Sequence, residues 1–170
     1  MELSAPSAFL PVRGVSRPSV LDFGPSVLGA LQHMSNLYGA PISTENAKKA
    51  AAAALAEARK NDWTMAVAIT DTAGFLVYFE KIDGTQTASS VVAVDKARSA
   101  ALFKRPTKAF QEMLAAGGEG LRVLSMTGAM PIEGGQPLIM DGKVVGAIGV
   151  SGGSSAQDNQ CATPGANALK

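Results

Sequence analysis

At 170 residues, 46% of them hydrophobic and 17% charged, the chain has a globular composition and the length of one domain with an appendage. Its net charge of +1, without a dense basic run, excludes the electrostatic footprint of a nucleic-acid binder, and no apolar run approaches the ~20 residues that cross a membrane. One cysteine, Cys161, and one histidine, His33, exclude an intrachain disulfide, a cysteine-based zinc cage and an H-E-x-x-H centre, so no metal site is expected.

Residues 1–38 carry Pro6, Pro11, Pro18 and Pro25 without sustained periodicity. They read as a flexible N-terminal extension, with a short helix possible over 27–34. Glu2, Pro6 and Pro11 oppose a secretory signal, and Arg13 and Arg17 among serines give only a faint organelle-leader pattern. With a lone cysteine, the expectation is a cytoplasmic protein.

From Pro41 onward the signals sharpen. Ser43 or Thr44 can cap a helix over ENAKKAAAAALAEARK, which Asn61 would end in a left-handed conformation. Its alanine face suits close packing on a sheet. TMAVAIT and FLVYFE, separated by Asp71-Thr72-Ala73-Gly74, predict an antiparallel hairpin that ends at Asp83-Gly84. Val91, Val94, Ala97 and Ala101 are at helical spacing in TQTASSVVAVDKARSAALFK, which stops before Pro106.

Thr107 is then positioned to cap a short helix, KAFQEMLA, ended by Gly117 and Gly118. LRVLSM is a short apolar piece and PIEGGQ is turn material. PLIM and KVVGAIGVS flank Asp141-Gly142, a type I′ hairpin signal. A last helix over SAQDNQCATPGANAL should kink or restart at Thr163, because Pro164 removes a helical hydrogen bond. Hairpins outnumber crossovers, which predicts an α+β domain: an antiparallel sheet with helices packed against it.

The stretch Gly149-Val150-Ser151-Gly152-Gly153 matches G-x-S-x-G, but that elbow needs a histidine base later in the chain, and His33 lies far upstream. Its glycines fit close backbone approach better. Both nucleotide-binding glycine fingerprints are missing. Asp71, Glu80, Asp83, Asp95, Glu112 and Glu133 match no calcium loop and read as solvated surface.

Residues 39–170 resemble the GlcG/HbpS-like family. The likeness rests on a D-x-x-G turn at Asp71–Gly74, Asp83-Gly84, D-K-A-R at Asp95–Arg98, F-x-x-P-T at Phe103–Thr107, and D-G-x-V-V-G-A-I-G-V-S-G from Asp141 to Gly152. It implies a profilin-like α/β sandwich that self-associates as a homo-oligomer and binds heme, with heme degradation in some members. It also implies that a threonine within the segment matching SAALFKRPT contacts heme, for which Thr107 and, secondarily, Ser99 are the candidates by position. Phe75 stands where many members carry histidine, and Thr163-Pro164-Gly165 interrupts the final helix.

A porphyrin needs an apolar slot and cations for its two propionates. Phe103, Phe110, Met113 and Leu114 are candidate walls, and Lys104, Arg105 and Lys108 candidate cations; the same residues would equally serve as core, interface and solvated surface. Two functions follow as expectations. One is a heme or tetrapyrrole carrier, sensor or slow degrader. The other is an enzyme or accessory subunit acting on a small organic acid, with Arg98, Asp71 or Lys96 at its site.

Overall fold

The computed structural model describes residues 37–170; the possible helix over 27–34 and His33 lie outside them. The first helix, α1 (Thr44–Lys60), starts at Ser43, whose hydroxyl accepts from the Asn46 N–H, and carries Glu45 in its first turn and Arg59 and Lys60 in its last, both in the sense that the helix dipole favours. The left-handed residue falls one place later than expected, at Asp62 (φ 56°). Asn61 stays right-handed because its side-chain amide donates back to the Glu57 carbonyl at 2.7 Å.

Strands β1 (Ala66–Thr70) and β2 (Leu76–Lys81) form the expected hairpin, and β3 (Gly135–Met140) and β4 (Lys143–Ser151) form the second. Asp141 and Gly142 both have positive φ, 49° and 70°, as a type I′ turn requires. The sheet is antiparallel throughout, in the order β2-β1-β4-β3, with β1 and β4 paired at its centre.

Strand alternation sorts the two faces by size. Met65, Val67, Ile69, Ile148 and Val150 join the core under α1 and α4 (Ser155–Asn167), while Ala66, Ala68 and Ala147 face α2 (Ser89–Phe103). On the α2 face the contact is nearly backbone to backbone. A Cβ added to Gly149 would stand 2.0 Å from the Ala93 carbonyl oxygen and 2.5 Å from the Ala97 nitrogen, so the first glycine of the GVSGG stretch serves the packing of a helix on the sheet, while Gly152 and Gly153 lie close against Thr64, Met65 and Gln157. The result is the expected α+β sandwich, with helices on both faces of an antiparallel sheet.

Two helix-end expectations are corrected. α3 (Thr107–Ala115) has Pro106, not Thr107, at its N-cap; the Thr107 hydroxyl faces Gly135 instead. α4 runs unbroken through Pro164. The carbonyl freed by the missing N–H belongs to exposed Gln160, where water can satisfy it. The inner side of the helix is held by Gly165, whose added Cβ would meet Ile148 at 2.4 Å. LRVLS lies within a 3₁₀ segment, Gly118–Ser125, with Met126 as its C-cap. Among the described residues no helix is long and apolar enough to cross a membrane.

Candidate functional site

The segment from Ser99 to Phe110 spans the end of α2, a left-handed Lys104 (φ 52°) and the start of α3. Lys104 reverses the chain there, so that Phe103 and Phe110 meet edge to face with ring centres 5.1 Å apart. Phe110 is fully buried and Phe103 only partly. The aromatic pair is therefore a seam between two helices, with Phe103 as its outer member.

Both candidate hydroxyls are sealed and engaged. Thr107 Oγ1 accepts from the Gly135 N–H at 2.9 Å, and Ser99 Oγ accepts from the Met130 N–H at 3.0 Å; neither side chain is exposed. Each ties a helix to the chain that leads into β3. Lys108 is also committed, its ammonium lying 2.6 Å from Glu133 Oε2. That carboxylate holds the Lys108 ammonium above the usual lysine value. Glu133, expected on the surface, is only 5% exposed, because Lys108 and Gln111 cover it.

Lys104 and Arg105 remain partly open. The Lys104 ammonium lies 5.2 Å from the centre of the Tyr38 ring, and the Arg105 guanidinium 5.6 Å from that of Phe110. Tyr38 is fixed by its hydroxyl, which donates to the Ala101 and Leu102 carbonyls at 2.9 and 3.0 Å. Sequence patterning missed a set of exposed apolar residues in this region: Tyr38 and Leu102 beside Lys104, and Phe75 and Leu76 directly after Gly74, with Phe75 exposed to 70%. Gly74 joins its parts, since a Cβ there would fall 2.7 Å from Arg98 Cγ and 3.6 Å from Leu102 Cγ. The one signal in the chain was Phe75 itself, an aromatic residue directly after a tight turn.

Of the residues named for organic-acid chemistry, Lys96 is fully buried, its ammonium 2.6 Å from Asp158 Oδ2 and 3.1 Å from the Val150 carbonyl. Asp71 spends Oδ1 on the Ala73 and Phe75 N–H groups, both at 2.9 Å, which shapes the turn. Only Arg98 faces a cleft, shared with Asp95, Gly128, Ala129 and Met130.

A porphyrin meets a mixed reception. The exposed apolar face and the cations Lys104 and Arg105 fit its ring and propionates. Among the described residues there is no histidine, and Cys161 is buried with its thiol pushed up to about 11 by desolvation, far from the thiolate that iron takes. The face thus suits a flat acid held by contact area and charge.

A family model described as haem degrading protein HbpS-like matches residues 42–167. Protein GlcG of Escherichia coli (strain K12) is 36% identical over 112 residues, which is 65% of this chain and 81% of that protein. A double mutant of Streptomyces reticuli HbpS has a similar crystal structure, with a TM-score of 0.71 and 27% identity over 92% of this chain and 99% of that one. PduOC, crystallised as a complex with heme, gives a TM-score of 0.68 and 25% identity over 76% of this chain and 96% of that one.

Proposed function

The chain belongs to the HbpS-like haem degrading family, and from that premise we propose that it binds heme or a related tetrapyrrole on the face formed by Tyr38, Leu102, Phe75 and Leu76. The observation that carries this reading is the set of exposed apolar residues around Leu102 and Tyr38, with Lys104 over the Tyr38 ring and Arg105 one residue on, two cations that have no carboxylate partner among the described salt bridges. A heme complex of a protein with this fold adds support.

In this reading the ring lies over Leu102 and the outer edge of Phe103, with Phe110 beneath as support, and the propionates pair with Lys104 and Arg105. Ser99 and Thr107 act from below by fixing α2 and α3 in place. Bound iron would supply the redox and oxygen chemistry of a carrier, sensor or slow degrader. Self-association is part of the proposal: β2 is an edge strand with half-buried Val77, Tyr78 and Phe79, a surface that a second copy can cover.

Hemin titration of the purified chain, followed at the Soret band, tests the reading. Saturable binding is expected. It should weaken about tenfold or more in the Lys104→Ala/Arg105→Ala double variant, which loses two charge-assisted contacts, and weaken again in Leu102→Ser. A titration without saturation, or one that these substitutions leave unmoved, would overturn it. The organic-acid reading retains one residue, Arg98, whose surroundings carry the inference below.

A further inference from the structure

We infer that the cleft between α2 and the Gly128–Met130 segment is a binding site for a short aliphatic monocarboxylate, gripped by Arg98. It gives the organic-acid reading a ligand class and a place, and it does not depend on heme.

The Arg98 guanidinium is held from one side only. Its Nε donates to the Gly74 carbonyl at 3.3 Å, and its Cγ rests where a Gly74 side chain would be. Gly74 sits in a turn whose backbone Asp71 has already fixed, so the arginine is braced by a rigid element. Arg98 lines the cleft, and its terminal nitrogens carry the fork of N–H donors that matches a carboxylate. Their one neighbour of opposite charge, Asp95, is 3.8 Å away, with both side chains nearly half exposed, so this contact contributes little.

The opposite wall is equally fixed. Ser99 pins the Met130 N–H, the Ala129 N–H donates to Met126, and Gly128 lies at φ 86° against Leu102. The cleft, partly open to solvent, holds about 260 Å³, below the range of drug-sized ligand pockets and right for a few carbons. Its lining carries the signature of the ligand: one guanidinium for one carboxylate, and Ala129 and Met130 for a hydrocarbon tail. One guanidinium matches one negative charge, and the nearby Asp95, although screened, adds to the bias against a dianion such as phosphate.

Calorimetry on the heme-free full chain with sodium butanoate as probe tests this. Saturable binding is expected, absent with sodium chloride. Arg98→Ala should weaken it about tenfold or more, as loss of a charge-assisted pair implies. Arg98→Lys should weaken it too, since an ammonium lacks the fork. Ala129→Leu keeps the arginine but fills the cleft, and should abolish binding; melting curves establish that each variant is folded. No saturable butanoate binding, or binding undiminished in folded Arg98→Ala or Ala129→Leu protein, overturns the inference. Inorganic phosphate bound as tightly as butanoate overturns the ligand class. Because hemin is absent, failure here leaves the heme titration to stand or fall by itself.

Discussion

Lys96 Nζ and Asp158 Oδ2 lie 2.6 Å apart in the interior, joining α2 to the first turn of α4 across the end of β4. Neither charge faces water. Burial lowers the Lys96 pKa more than Asp158 restores it, the mark of a pair held by geometry against a desolvation cost. Asp158 Oδ1 also takes the Gly153 N–H at 3.0 Å, and the Lys96 ammonium donates to the Val150 carbonyl at 3.1 Å. The pair thereby anchors the GVSGG loop.

Removing one partner leaves the other charge buried, so Lys96→Met or Asp158→Ala alone should cost ~3–5 kcal/mol. The double variant Lys96→Met/Asp158→Leu should recover much of that loss. Urea denaturation of the three proteins measures it, and a double variant as unstable as the sum of the singles would contradict it.

Two glycine substitutions should separate lack of space from backbone strain. Gly149→Ala drives a methyl into the Ala93 carbonyl and should cost at least ~3 kcal/mol or abolish folding. Gly142→Ala meets no atom within 4 Å and carries only its left-handed backbone, a loss of ~1 kcal/mol. Thermal melts that rank the two the other way would refute the backbone-to-backbone contact of α2 with the sheet.

Thr107→Val keeps shape and loses the hydroxyl that accepts from Gly135. It should destabilise by ~1–3 kcal/mol, the cost of an unsatisfied buried donor, while leaving hemin affinity unchanged. A hemin affinity that falls with Thr107→Val in folded protein would return this hydroxyl to the ligand.

The Cys161 thiol should resist a thiol reagent in native protein at neutral pH and react at once on unfolding. Its folded pKa is raised from 9.0 to about 11, so between those values the unfolded chain has given up a proton that the folded chain keeps. Stability therefore falls as pH rises through that window, by up to ~1.4 kcal/mol per unit. Comparing the stability of wild type and Cys161→Ala from pH 8 to 11 isolates this slope.

Periodicity, turn chemistry and caps are local properties, and they were legible: the helix begun at Ser43, the hairpin through Asp141-Gly142, the stop before Pro106 and the antiparallel sheet all follow from neighbours in sequence. The errors at Asn61, Thr107 and Pro164 all turn on where a hydrogen-bonding group finds its partner. In the first two, a side chain found a different partner, in Glu57 or in Gly135; in the third, the carbonyl that Pro164 frees belongs to an exposed residue, Gln160, where water can satisfy it. Sequence alone thus determined the elements, the fold class and a segment rich in cations and aromatics. Only the tertiary structure decided that Phe110, Thr107, Ser99 and Lys96 face inward while Leu102, Phe75 and Arg98 face out, because burial is set by how helices cross a sheet, and those crossings join residues that stand dozens of positions apart.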